Sequence, residues 1–293
     1  MGVLLSVVEK GSFSAASRAL SMPLATVSRK VSELESHLGA KLLVRTTRKV
    51  ALTEAGAAYA ASARRVLEMI DETERIAAGE FLAPRGELVL TAPVLFGRLH
   101  LLPVVADFLA LYPEINVRLV LADRNIDLIE EHVDMAARIG SLPESSMIAT
   151  RIGSMRTVVC ASPQLLTRHG VPKSPEDLAD WPCVNFDFRS PSSTWPFRSK
   201  EGIRETPVKP RLSVSTAEAA VWAAAQNVGL TRVLHYQCAK AVRDGSLEII
   251  LEDFEIEPLP VHLIHAARGA LPLKMRAFLD FAAGRIRKAL SSL

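Results

Sequence analysis

Between Phe13 and Leu38 two helical stripes follow one another, and Pro23 forbids joining them into one helix. Phe13, Ala16 and Leu20 recur at helical spacing, and Ser12 stands where its hydroxyl can cap the first turn. Ser21-Met22-Pro23 interrupts, because proline fits a first helical turn and not an interior. Val27, Val31, Leu34 and Leu38 then mark one narrow side of a second helix, closed at Gly39. Opposite them lie Ala25, Ser28, Arg29 and Ser32, flanked by Thr26 and Lys30. Helix, short turn and second helix with a polar outer face describe a helix-turn-helix. Val3 to Val8 reads as a preceding helix packed on this pair.

The next stretch, "AKLLVRTTRKVALT", reads as a strand, a basic tip at Arg45-Thr46-Thr47-Arg48-Lys49, and a second strand. That is a wing. Charge is unevenly shared: residues 1–52 hold 8 Lys and Arg against 3 Asp and Glu, and residues 86–293 hold 23 against 23. A small basic unit on a neutral body fits a nucleic-acid footprint. A solvated amphipathic helix would carry the same polar face, and the adjoining turn and wing argue against that plainer reading. Short side chains let a helix approach the floor of a major groove, and Arg29 is long enough to take both acceptors of a guanine edge. Ser and Thr can bond phosphates or base edges, and the wing's cations can hold phosphates or enter a minor groove. The candidate DNA contacts are Thr26, Ser28, Arg29, Lys30, Ser32, Arg45, Thr46, Thr47 and Arg48.

Thr53 can cap a long helix from Glu54 to about Gly79, a rod of ~37 Å at ~1.5 Å per residue. Tyr59, Ala63, Val66, Ile70, Thr73 and Ala77 are spaced 4, 3, 4, 3 and 4 apart, which is a heptad seam. The small unit before it offers little core to such a rod, so the seam predicts pairing with a second chain. Ala83-Pro84-Arg85-Gly86 ends it and marks a hinge.

From Gly86 strands and helices alternate. "ELVLTA", "INVRLVLA" and "VDMAARIG" read as strands, with helices over Gly97–Tyr112 and Asn125–His132. This βαβαβ order predicts a mainly parallel sheet covered on both faces. "RTVVCAS" follows, then a helix over Pro163–Trp181, extended segments, a helix after Thr216, one over His235–Arg243, and a last one over Leu271–Leu290. No apolar run approaches the ~18 residues of a membrane span, and the opening "MGVLLSVVEKG" lacks the basic start of a signal peptide. G-x-S-x-G, Walker A, GxGxxG and H-E-x-x-H motifs are absent, so an enzyme gains no support. His262 and His265 point to opposite faces of a strand and cannot share a metal. No metal or cofactor is expected. Cys160, Cys183 and Cys238 are widely spaced and read as buried reduced thiols, with a thiol redox sensor as the rival reading.

The run "GSFSAASRALSMPLATVSRKVSELESHLGAKLLVRTTRKVALTEAG" closely resembles the winged helix-turn-helix of LysR-type bacterial transcriptional regulators, and the remainder of the chain resembles that family too. Against the family pattern the first helix looks clipped, as a late start codon would leave it, and Met22 stands before Pro23 with a longer entry. The resemblance implies an α/β chain with an α-rich N-terminal part. The expected units are a winged helix-turn-helix at 1–53, a linker and dimerisation helix with hinge at 54–85, and a periplasmic-binding-protein-like effector domain at 86–293. In that family the chain crosses twice between two α/β lobes. The crossings here would be Val158–Ser162 and Ile264–Ala267, giving lobe one 87–160 and 266–293, and lobe two 161–265.

Ligands of open α/β sheets sit beyond the carboxyl ends of strands and at helix N-termini. That rule selects Thr91, Val94, Leu95 and Phe96 before the Gly97 helix, Arg138 and Gly140, Phe188, and Ser215 with Thr216. Gly229 to Thr231 resembles the family's Gly-Ile-Ala segment at the cleft wall, with Asn227 and Leu234 departing from the pattern and Arg232 unusual in an apolar stretch. Helix N-termini, hydroxyls and Arg138 favour a small organic acid with an apolar body. The expected partners are an operator DNA duplex, that effector, a second or fourth copy of the chain, and RNA polymerase, with no membrane. The expected function is effector-controlled, sequence-specific transcription regulation in the cytoplasm.

Overall fold

The computed structural model describes residues 1–45, 50–77, 83–142, 147–186, 194–266 and 271–291. Its first unit follows the caps. α1 (Gly2–Lys10) ends at Gly11 in the left-handed conformation, and α2 (Phe13–Ala19) begins where Ser12 Oγ accepts the Ala15 N–H at 3.0 Å. α3 (Leu24–Leu38) starts after Pro23 and stops at left-handed Gly39. Leu4, Val7, Ala16, Val27, Val31, Leu42 and Leu43 form the core of this unit. Leu38, expected on the apolar stripe, is 40% exposed, because the helix runs past the small core. β1 (Leu43–Arg45) and β2 (Val50–Leu52) pair antiparallel as the wing's stem.

α4 (Glu54–Ala77) opens on Thr53, whose Oγ1 accepts the Gly56 N–H at 2.9 Å and donates to the Lys41 carbonyl at 2.7 Å. The heptad seam divides in two. Tyr59 and Ala63 turn inward with Ala60 against Leu5 of α1, so that half of the seam is consumed within the chain. Val66 (42%), Met69 (57%) and Ile70 (48%) stay exposed, and the Ala77 side chain lies outside what is described.

Two five-stranded sheets make up the larger part. The first has the order β4-β3-β5-β14-β6, built from β3 (Gly86–Ala92), β4 (Ile115–Leu121), β5 (Met135–Ile139), β6 (Met147–Met155) and β14 (Leu259–Ala266). Only β3 runs parallel to β4 and β5; β14 is antiparallel to both neighbours. The second has the order β11-β8-β12-β7-β13, from β7 (Thr157–Ala161), β8 (Pro182–Asn185), β11 (Lys209–Ser213), β12 (Leu230–Leu234) and β13 (Glu248–Ile250). β9 (Thr194–Ser199) and β10 (Gly202–Pro207) form a separate hairpin.

The chain therefore crosses between the sheets at Arg156 and over Leu251–Pro258, not at Val158–Ser162 and Ile264–Ala267. β7 is buried throughout in the second sheet, and β14 pairs along its whole length in the first, a fact of ladder pairing that hydrophobicity does not encode. Arg156 joins the two crossings by ion pairs to Glu252 (2.6 Å) and Glu255 (2.7 Å), and the Glu255 and Glu252 carboxylates raise its already high pKa.

Three helix expectations change. Asn125–His132 is a run of turns, because the Asp127 carboxylate takes the N–H groups of Ile129 (2.7 Å) and Glu130 (3.0 Å) and His132 turns left-handed. The Pro163–Trp181 helix is broken into α7 (Pro163–His169) and a 3-10 turn, Pro175–Asp180, by Gly170 at φ 85° and the prolines after it. Helix starts not at Gly97 but at Val94. α5 (Val94–Phe96), a π-helical turn (Gly97–Leu101) and α6 (Leu102–Leu111) form one continuous run. That run is long and apolar enough to cross a membrane by length and composition, which the sequence reading missed. Here it carries Phe96, Leu101, Val105 and Phe108 into the first sheet's core with Phe278 and Ile286 of α10 (Leu273–Ser291). α8 (Ala217–Ala225) and α9 (His235–Arg243) cover one face of the second sheet.

Candidate nucleic-acid interface and effector cleft

On α3, Val27 and Val31 are buried while Arg29, Lys30 and Ser32 are exposed, and Thr26 and Ser28 lie half-buried at the edges. Arg29 Nη1 meets Glu33 Oε1 at 3.2 Å, with the two side chains 68% and 59% exposed. Such an exposed i,i+4 pair contributes about 0.3–0.5 kcal/mol and is easily given up. Of the wing residues, Arg45 ends β1, whereas Thr46, Thr47 and Arg48 lie outside the described residues.

One functional support was not foreseen. Glu35 sits among Val31 and Leu34 and is 7% exposed. Its Oε1 accepts the N–H groups of Leu42 (2.9 Å) and Leu43 (3.2 Å), and Oε2 meets Lys41 at 2.8 Å. Burial alone would raise this carboxyl; the Lys41 ammonium and those two N–H groups outweigh it and hold it below the ordinary carboxylate value. Glu35 thus fastens the recognition-like helix to the entry of the wing. Its place four residues after Val31, on the apolar side, was the available signal.

The lobes meet where β3 and β12 end. Val94 is 36% exposed, Leu95 7% and Phe96 fully buried. The Thr91 hydroxyl donates to the Val120 carbonyl (2.7 Å) and the Thr231 hydroxyl to that of Val184 (3.1 Å), both at zero exposure. Neither is open to a ligand. Gly229 is a packing residue: a Cβ there would lie 2.4 Å from the Pro182 carbonyl oxygen, so glycine lets β12 approach β8. Arg138 is half-buried and donates to the Ile126 carbonyl at 2.7 Å, and Gly140 is left-handed at φ 107°. Ser215 is exposed, and Thr216 Oγ1 caps α8 at the Ala219 N–H (3.2 Å). Phe188 lies outside the described residues. The helix N-terminus at Val94 already holds an internal anion, the Asp123 carboxylate, 3.0 Å from the Val94 N–H.

Contacts missed in the sequence tie the lobes together. Arg98 of the first lobe pairs with Glu218 of α8 at 2.7 Å. Tyr236, at the start of α9, reaches the first lobe's core, edge-on to Phe96 at 5.9 Å and to His100 at 5.5 Å. His100 is 8% exposed, its Nε2 has no partner among the described residues, and burial lowers its pKa. The Arg232 guanidinium, half-buried on β12, has no hydrogen-bond or ion-pair partner among the described residues; burial brings it down to about 10 against a weaker upward pull from the Glu205 carboxylate.

Residues 1–57 match the family model described as "Bacterial regulatory helix-turn-helix protein, lysR family", and residues 83–287 match "LysR substrate binding domain". The chain belongs to the LysR family of bacterial transcriptional regulators. It is 35% identical over 283 residues to the regulator CrgA of Neisseria meningitidis serogroup B, covering 95% of this chain and 93% of that one. It is 32% identical over 282 residues to the transcriptional activator AaeR of Escherichia coli K12, covering 96% and 91%. The solved structure of CrgA matches with 32% identity, 97% coverage of both chains and a TM-score of 0.63. The full-length virulence activator AphB of Vibrio cholerae matches with 27% identity, 97% coverage of both and a TM-score of 0.61. As a LysR-type regulator the chain binds DNA and small-molecule effectors and is not an enzyme.

Proposed function

We propose that two copies of the chain dock their α3 helices in successive major grooves of an operator, with Arg29, Ser28 and Ser32 toward the bases and Thr26, Lys30, Arg45, Thr46, Thr47 and Arg48 toward phosphates. The observation that carries this reading is the division of α3, with Arg29, Lys30 and Ser32 exposed opposite fully buried Val27 and Val31. Arg29 gives up its weak contact with Glu33 for a bidentate base contact about 1–3 kcal/mol strong, so the exchange favours DNA. Arg29→Ala should weaken a specific operator by that amount, whereas Arg48→Ala should weaken all sequences evenly and flatten the salt dependence. A gel-shift titration in which Arg29→Ala binds its operator normally removes α3 from the groove. Contact with RNA polymerase and residence in the cytoplasm belong to the same reading.

The effector proposed is a small organic acid entering between the lobes, where its carboxylate competes with Glu218 for Arg98. Arg98 is 59% exposed, so its present pair yields readily. Val94, Leu95 and Phe96 precede Arg98 on one helical run, and Ser215 and Thr216 precede Glu218, which assigns all five to the same position. Burial holds the Cys183 thiol up at about 12, whereas the contact with Cys160 lowers that of Cys238; the burial of all three thiols is what favours a ligand over thiol oxidation as the signal. In thermal-shift screening a carboxylate should stabilise the chain by about 2.7 kcal/mol at a hundredfold excess over its Kd, and its matched amide should not. A response confined to neutral compounds, or one retained in full by Arg98→Ala, would reject the acid.

A further inference from the structure

Outside the cleft, a cavity of about 790 Å³ opens between α4 and the first lobe. Its size falls within the range of small-molecule sites. Its walls are built rather than incidental. Lys274, 8% exposed, donates to Glu68 of α4 and to the Glu87 carbonyl, both at 2.5 Å, and Arg65 of α4 meets His132 Nδ1 at 2.8 Å. These contacts cluster at one edge of the opening and hold the linker helix against the body there. Arg85 pairs with Asp71 at the hinge. The charged lining is thus largely paired within itself, which leaves little field to attract an ion.

Apart from Ser62 and Gly86, the remaining lining is apolar, with Val66 and Met69 from α4, Leu5 from α1, Ile148 from β6 and Met275 from α10. Beside them lies His265 of β14, 5% exposed. Its Nδ1 is 3.1 Å from the Ala266 carbonyl oxygen, which can only accept, so Nδ1 carries the proton. In that tautomer Nε2 is an acceptor with no partner among the described residues, at the wall of the cavity. That Nε2 is open to the cavity rather than sealed, and a ligand N–H or O–H that replaces water there adds a net hydrogen bond.

We propose that this cavity is a second ligand site, separate from the inter-lobe cleft, for a neutral compound with an aromatic or aliphatic body and one N–H or O–H group that donates to His265 Nε2. A ligand there touches the linker helix, the DNA-binding unit through Leu5, and the first lobe, so it biases the angle between reader and sensor.

The probe is N-phenyl-1-naphthylamine, a neutral aromatic with one N–H that fluoresces in apolar surroundings. Titrated into the full chain, it should give a saturable rise with one site per chain. Ile148→Trp, at a 48% exposed position whose side chain lines the cavity, should weaken binding at least tenfold. His265→Phe keeps the ring and loses the acceptor, and should weaken it roughly three- to tenfold. Ile203→Trp, on a 70% exposed residue of β10 far from the cavity lining, should change nothing and controls for the added indole. The site is overturned if no saturable signal appears, or if Ile148→Trp behaves as Ile203→Trp. It is also overturned if the signal appears only after Ile70→Asp has separated two copies, since the partner's helix would then be the natural occupant.

Discussion

Gly56→Ala should cost the DNA-binding unit roughly 3 kcal/mol or more, the upper end of overpacking penalties. A Cβ at Gly56 would stand 1.9 Å from the Leu42 carbonyl oxygen and 2.8 Å from its carbon, and backbone cannot rotate aside as a side chain does. The same junction carries the Thr53 N–H bond to the Leu42 carbonyl (3.0 Å) and the Thr53 hydroxyl bond to Lys41, so any shift breaks the cap of α4 as well. A unit of about 57 residues has only about 3–9 kcal/mol of stability to lose. The readout can be local, because Trp181, Trp195 and Trp222 all lie in the second lobe's part of the chain. Helix circular dichroism should gain an early transition that tryptophan fluorescence does not follow, and operator binding should be lost. Gly11→Ala is the control: Gly11 is left-handed at φ 68° with nothing within 4 Å, so only about 1 kcal/mol of backbone strain is expected. Equal melting of Gly56→Ala and the parent would mean that α4 does not close on Leu42 as described.

Ile70→Asp should leave each chain as stable as before and separate it from its copy. Ile70 is 48% exposed and flanked on α4 by exposed Met69, Val66 and Thr73; Val66 and Met69 border the cavity against the first lobe, and among the described residues Ile70 and Thr73 do not line it. An exposed substitution changes single-chain stability by about 0.5 kcal/mol or less. If a second copy buries this face, a charge within it costs several kcal/mol, more than a hundredfold in dimer dissociation. Sedimentation should then report a smaller species, and footprinting should lose its paired half-sites, spaced one DNA turn apart or a multiple of it. Unchanged mass and footprint would reject the α4 face as the interface.

The features legible in the sequence were those whose chemistry is settled within a few residues. Ser12, Thr53 and Thr216 cap helices because each hydroxyl reaches an N–H three residues on, and all three do so here. Pro23 and Gly39 bound α3 through backbone geometry that belongs to those residues alone. The winged helix-turn-helix, the long linker and the two-sheet body could be read from such signals together with the family likeness. Tertiary structure decided whatever depends on partners distant along the chain. Tyr59 and Ala63 belong to a heptad pattern that suits a second chain equally well, and α1 arrived first through Leu5. Thr91 and Thr231 looked like ligand hydroxyls at strand ends until neighbouring strands supplied carbonyls 29 and 47 residues away. β6 and β14 entered the first sheet by ladder pairing, which moved both crossings and left Arg156 to join them. Glu35, Asp123 and Glu218 became structural anions because folding brought N–H groups or a guanidinium to them. Hydrophobic period and capping are short-range codes carried by the residues themselves; the use of a polar atom in a cleft is fixed only when the chain has chosen what stands opposite it.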